Sequence, residues 1–278
     1  MLHALVMVLA LSAQVTMPEP VQAEIAWVAE GGFCEPETVL PLPDDTLLVS
    51  NVCDFRTDGN GFLTLLDKDG SAIDWRVVQG LDAPLGMALV GERLYVVDNN
   101  RVKIFAWPDY RLLETIAVET AVANDIAVAA DGRFWVTDTA RGQVIEHTSQ
   151  GVLSVFLEDV GFKGANGIAL NGQRLFVGGE RLWCVDLESG AVTTVGPEWL
   201  RDIDGIEFEA NNTLQVTPVG GPLVRIRTDG GIDVLGGEGV SSANHGYAPR
   251  LGLALIPTGF DNTVIAVRLP LEADASSP

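Results

Sequence analysis

The sequence predicts an all-β fold, a six-bladed β-propeller with a metal site in its central channel, and three observations point to that architecture. A hairpin-like unit recurs six times, its starts separated by 48, 39, 42, 38 and 41 residues. Further strand-like pieces lie between the copies, giving four strands per unit of about 40 residues, the arithmetic of a propeller blade. No amphipathic helix of convincing length interrupts the series.

Each unit is a short apolar segment, a turn of Asp, Gly or Asn, and a second apolar segment ending in a small or polar residue. The copies are ETVLPLPDDTLLVSN from Glu37, LGMALVGERLYVVDN from Leu85, NDIAVAADGRFWVTDT from Asn124, NGIALNGQRLFVGGE from Asn166 and DGIEFEANNTLQVTP from Asp204. A degenerate sixth, HGYAPRLGLALIPTG, starts at His245. Additional strands are expected at Gly61–Leu66, Arg101–Phe105, Gln143–Glu146 and Leu223–Ile226. Ring closure needs one blade built from both chain ends, and residues 25–28 are suited to lie beside residues 262–267. A sandwich gives no reason for the regular period, and a β-helix would repeat at a much shorter one.

Composition narrows the function. The chain has 278 residues, with 17 Lys and Arg against 38 Asp and Glu, a formal charge of −21. That field repels phosphate backbones and anionic membrane surfaces, which argues against nucleic-acid partners. The apolar content of 47% is too high for disorder. An acidic, soluble, globular protein remains, of a kind that often holds a cation; the partner expected for it is a small-molecule substrate.

Residues 1–23 read as a secretory signal peptide: the apolar run at 4–13 is too short to span a bilayer, Met17-Pro18-Glu19-Pro20 breaks any helix, and Val21-Gln22-Ala23 offers small residues for cleavage. The alternative is a buried N-terminal core helix. Residues 24–270 then form a single propeller domain, exported to the periplasm or secreted, and residues 271–278 are a frayed tail. Export permits disulfides. Cys34 and Cys53 flank one strand pair, where a bridge is sterically reasonable, while Cys184 reads as a buried free thiol.

A propeller places equivalent positions of its blades on one ring around the channel. The first residues of the six copies are Glu37, Leu85, Asn124, Asn166, Asp204 and His245. Surface turns favour Asn and Asp, which explains any one of these but poorly explains all of them together. Facing inward, Glu37, Asn124, Asn166 and Asp204 present four oxygens to one point. Hard oxygen donors suit Ca²⁺ first, with Mg²⁺, Mn²⁺ and Zn²⁺ also compatible. Two carboxylates crowded on the axis call for a divalent ion to neutralise them.

Here the sequence resembles the senescence marker protein/gluconolactonase/luciferin-regenerating enzyme family. The resemblance rests on Pro36-Glu37-Thr-Val, Asn124-Asp125, Asn166-Gly167-Ile and Asp204-Gly205-Ile, in order and approximate spacing, and on Ala243-Asn-His-Gly-Tyr247 and Leu255-Ile-Pro-Thr258. It implies that Glu37, Asn166 and Asp204 ligate the metal and that Asn124 is a further ligand or a substrate contact. It also implies lactone hydrolysis, with Asp204 as the candidate base. One departure stands out: relatives often carry an Arg where this chain has Val122, which points away from a polyhydroxylated sugar and toward a less polar lactone or ester.

Among the remaining residues, His245 is a candidate substrate contact or proton shuttle, against a hydrogen-bonded turn histidine. His147 reads as a surface residue. Asp98 and Asp138 end strands and read as turn caps, and Trp135 and Trp183 as inter-blade packing. No Gly-x-Ser-x-Gly motif supports a serine hydrolase. A metal-dependent lactone or ester hydrolase is the leading function. A non-catalytic, metal-pinned binding or scaffold module competes with it, and a strictosidine-synthase-like condensation is a smaller third possibility.

Overall fold

The computed structural model describes residues 16–56, 58–158, 162–236 and 243–270. The apolar run at 4–13 and the tail at 271–278 lie outside these residues. Among the described residues there is no α-helix, and no helix is long and apolar enough to cross a membrane.

Six sheets follow one another along the chain. Two N-terminal strands, β1 (Val21–Gln22) and β2 (Glu24–Ala29), precede them. Blade 1 holds β3 (Pro36–Pro41), β4 (Leu47–Asn51), β5 (Gly61–Leu66) and β6 (Ala72–Leu81). Blade 2 holds β7 (Pro84–Val90), β8 (Arg93–Asp98), β9 (Arg101–Ala106) and β10 (Leu112–Ala117). Blade 3 holds β11 (Ala123–Val128), β12 (Phe134–Asp138), β13 (Gln143–His147) and β14 (Leu153–Glu158). Blade 4 holds β15 (Ile168–Asn171), β16 (Arg174–Val177), β17 (Leu182–Asp186) and β18 (Val192–Val195). Blade 5 holds β19 (Ile203–Phe208), β20 (Leu214–Pro218), β21 (Leu223–Ile226) and β22 (Ile232–Gly236). Blade 6 holds β23 (Gly246–Ala248), β24 (Leu253–Thr258) and β25 (Thr263–Arg268). The chain is a six-bladed β-propeller.

Closure occurs where the sequence places it. Strand β2 pairs antiparallel with β25, Ile25 opposite Val267 and Val28 opposite Ile265. Strand β1 adds a short parallel pair to β22, and Ala23 N–H bonds Gly236 O at 2.8 Å. Residues 21–23, read above as the end of a leader, therefore contact blade 5.

The repeat works through two local devices. Each first hairpin turns on one residue in the left-handed region: Asp45, Gly91, Gly132, Gly172, Asn212 and Gly252. Those are the Asp, Gly and Asn turns of the repeat, residue types that tolerate positive φ. The second device sits at the end of the second strand. Asn51 Oδ1 accepts the Cys34 N–H, Asp98 Oδ1 accepts those of Asp82 and Ala83, and Asp138 accepts those of Ala121 and Val122. Asp98 and Asp138 thus hold the loops that lead into the inner strands of their own blades; of the two, only Asp138 also reaches the turn that follows it, through the Arg141 N–H at 3.3 Å.

Alternating side chains pack between blades. Phe134 and Val136 join Val97 and Ile104 of blade 2, whereas Trp135 between them joins Val177 and Trp183 of blade 4. Six such clusters alternate with the six sheets around the ring. Period-two patterning therefore feeds two cores from each strand, which is why these strands read as continuous apolar runs.

Three cysteine and histidine expectations meet the structure here. Cys34 and Cys53 are bridged, with Cα atoms 4.7 Å apart. Cys184 is free but only half-buried: it packs at the edge of the core between blades 4 and 5, where that core opens to a surface groove. His147 is half-buried too, its ring stacked on Phe134 at 4.5 Å.

Candidate functional site

Innermost strands β3, β7, β11 and β19 each carry a register shift near their start. Beyond it the pairing is uniform: Val39, Met87, Ile126, Ile168 and Ile206 face Val49, Val96, Val136, Val177 and Val216. Glu37, Leu85, Asn124, Asn166 and Asp204 each lie two residues before those pairs, so they share one level around the channel. A bulge redirects a side chain while keeping the strand in register.

Glu37 and Asp204 line one cavity of ≈ 270 Å³ at the mouth of the channel. Asp204 is buried, with 6% exposure, and Glu37 is half-buried. Thr38 Oγ1 donates to Glu37 Oε2 at 2.6 Å, fixing that carboxylate. Burial, then the charge of Asp204, pushes the Glu37 carboxyl well above its ordinary range. Burial, then the charge of Asp125, pushes Asp204 up to about 7.

The two asparagines are oriented from behind. Asn124 Nδ2 donates to Thr139 Oγ1 at 3.2 Å, and Thr137 Oγ1 donates to the Asn166 carbonyl at 2.6 Å. Asn124 Oδ1, Asn166 Oδ1 and Asp204 Oδ1 are all buried with no hydrogen-bond partner. Buried oxygens without donors are costly, and three at the same level of a channel form an unfilled acceptor set. Among the described residues no group of three or more His, Cys, Asp or Glu side chains could hold a metal ion. A cation here would therefore rest on two carboxylates and two amides, a hard-oxygen set that fits Ca²⁺.

His245 does not complete this ring. Ala243 is the blade 6 residue beside Glu37 and Asp204, and its backbone carbonyl accepts from Thr217 Oγ1 as the backbone carbonyl of Asn166 accepts from Thr137 Oγ1. His245 instead lines the channel of ≈ 360 Å³ with Thr38, Asp125, Glu207 and Asn244. Its exposure is 1%, its Nδ1 lies 3.0 Å from Thr217 Oγ1, and its Nε2 is buried without a partner. Burial lowers its pKa to about 3, so the ring is neutral.

Two acids in this channel were not singled out from the sequence. Asp125 accepts the Ile126 and Ile168 N–H groups and a side-chain hydrogen bond from Asn244, tying blade 3 to blades 4 and 6. Burial raises its pKa to about 7. Glu207 is raised to about 8 by burial and by Asp125. A signal existed: the residue after each ring position reads Thr38, Gly86, Asp125, Gly167, Gly205. A Cβ at Gly86 would lie 2.1 Å from Asp125 Oδ1, so the glycine makes room for the acid.

Val122 is 43% exposed, on the loop before β11.

No protein-family model matches the chain, and no curated relative does. Solved structures do. A gluconolactonase from Xanthomonas campestris superposes with a TM-score of 0.66 at 16% identity, over 90% of this chain and 88% of its own. A virginiamycin B lyase from Staphylococcus aureus superposes at 0.65 and 12% identity, over 88% of this chain and 99% of its own. A streptogramin B lyase gives 0.61 at 13% identity, over 88% and 98%. The chain shares the propeller fold of gluconolactonases and streptogramin lyases. Because one fold serves hydrolases and lyases alike, the reaction has to be argued from the site.

Proposed function

We propose that the protein is a divalent-cation-dependent hydrolase of lactones or related esters, with Glu37, Asn124, Asn166 and Asp204 as the cation ligands and Ca²⁺ as the first choice of ion. Mg²⁺, Mn²⁺ and Zn²⁺ suit the same donors less selectively. The observation that carries this reading is the trio of buried, unpartnered oxygens on Asn124, Asn166 and Asp204, beside two carboxyls whose pKa values are raised. When bound, the ion supplies Lewis-acid polarisation of the substrate carbonyl.

The chain's own groups carry the proton work. Asp204, buried in the cavity beside Glu37, is the candidate general base. It takes a proton from water as the water oxygen adds to the carbonyl carbon. The carbon–oxygen bond of the lactone then breaks, and the proton passes to the departing alkoxide. Glu37 stays oriented by Thr38. Asn124 holds the substrate or shares the ion, and neutral His245 below offers an acceptor nitrogen as a substrate contact or shuttle.

Residues 1–23 remain a proposed export signal; the Cys34–Cys53 bridge fits an oxidising compartment. The direct test is a lactone panel assayed with EDTA and with each ion. Ion-dependent turnover lost in Asp204→Ala supports the reading, and turnover indifferent to both would overturn it.

A non-catalytic binding or scaffold module is the second reading. It is favoured by exposed Val122, where relatives often hold substrate with Arg. It predicts a higher melting temperature with the ion and no turnover of any lactone.

A further inference from the structure

The cavity that Glu37 and Asp204 line also takes Glu35, Thr258 and Asp261 at its edge, but large apolar side chains make up much of its wall. Phe55, Val219 and Phe260 are among the exposed large hydrophobic residues of the chain, at 60%, 57% and 97%, and all three stand around it, with Val52 buried beneath. They come from separate segments: the loop after β4, the end of β20 and the turn between β24 and β25. Convergence of three exposed apolar side chains on one concave site marks a binding surface. No Lys or Arg lines the cavity among the described residues, and four carboxylates, of Glu35, Glu37, Asp204 and Asp261, do. An anionic ligand would meet only negative charge there.

We propose that this collar is the subsite for an alkyl or aryl arm, and that the substrate is a neutral lactone or ester whose carbonyl lies at Glu37 and Asp204 while its hydrocarbon arm lies against Val52, Phe55, Val219 and Phe260. The proposal rests on the hydrolase reading and adds the substrate class to it. Hydrocarbon leaving water for such a collar contributes about fourfold per fully buried methylene. That gain is made in ground state and transition state alike, so it falls mainly on KM.

The test compares γ-butyrolactone with γ-octalactone, which adds a four-carbon arm, in Ca²⁺-loaded protein. The wild type is expected to favour γ-octalactone in kcat/KM by more than tenfold. In the F260S/V219S double variant that preference should fall below about threefold, while F260L should keep most of it. Turnover with no preference in the wild type would overturn the subsite and leave the hydrolase reading standing. If neither lactone turns over, the hydrolase reading fails, and calorimetric binding of 1-butanol and 1-octanol decides the subsite. Tighter 1-octanol binding that is lost in the double variant upholds it; equal binding of the two alcohols overturns it.

Discussion

Glu37, on the first strand of blade 1, and Asp204, on the first strand of blade 5, reach the same cavity although 167 residues separate them. Burial, and after it the charge of Asp204, pushes the Glu37 carboxyl well above its ordinary range. Two like charges in a half-dry space oppose folding until a cation or a proton separates them.

Cation binding should therefore stabilise the fold. At a hundredfold excess over the dissociation constant the gain is about 2.7 kcal/mol, or about 5–10 °C in Tm for a chain of this size. Asp204→Asn should raise the Tm of EDTA-treated protein at pH 8, since one of the paired charges is gone, and should abolish the increment from Ca²⁺. Differential scanning calorimetry with and without Ca²⁺ reads both effects.

The pH dependence of the ion-free protein follows from the raised acids. Asp125 and Asp204 at about 7 and Glu207 at about 8 keep protons that the unfolded chain has already lost. Stability should fall as pH rises from 6.5 to 8.5, and the raised Glu37 carboxyl adds to the fall. Below pH 6.5 buried His245 works the other way: it stays neutral to about pH 3 while the unfolded chain takes up a proton, offsetting the gain from the acids. Melting in EDTA at pH 6.5 and 8.5 should show the drop, and saturating Ca²⁺ should flatten it. A higher Tm at 8.5 in EDTA would contradict the placement of these acids.

Much of this was legible in the sequence, and the limits were physical. Period-two apolar runs with Asp, Gly and Asn turns recur because each blade needs the same hairpin, so blade number and the closing strand at residues 25–28 could be read directly. That Glu37, Asn124, Asn166 and Asp204 stand at one position of the repeat was legible because they share a register; their service to one ion is the proposal. His245 was misassigned to their ring, since the degenerate sixth copy does not show that its ring position lies two residues earlier, at Ala243. Asp125 went unread because its significance lies in Gly86 facing it, and Glu207 because a single acid within a strand pattern does not show that it points into the channel. Cys184 and His147 were misjudged in burial, which for outer strands depends on the neighbouring blade.

Gly86 supplies a third prediction. A methyl group there would lie 2.1 Å from Asp125 Oδ1 and 2.6 Å from its Cα. Gly86→Ala should therefore cost about 1–3 kcal/mol as overpacking and displace Asp125 from Ile168. Chemical denaturation gives the loss, and wild-type stability would show that the inner strands part easily.

The disulfide anchors the segment leading to Glu37. Cys53 N–H bonds Cys34 O, and Val52 N–H bonds Glu35 O. Loop-closure entropy over a separation of 19 residues predicts that Cys34→Ser with Cys53→Ser costs about 3 kcal/mol. Ca²⁺ affinity should weaken alongside stability, because Glu37 lies three residues beyond the bridge; titration calorimetry on the double variant checks that coupling.

Anomalous diffraction from crystals soaked in Mn²⁺ or Ca²⁺ bears most directly on the claim that these four side chains serve one ion. A single peak within about 2.0–2.6 Å of oxygens from Glu37, Asn166 and Asp204, with Asn124 Oδ1 turned toward it, is the expected result. Crystals that diffract well and show no peak there, or a peak elsewhere with those three oxygens still unpartnered, would contradict it.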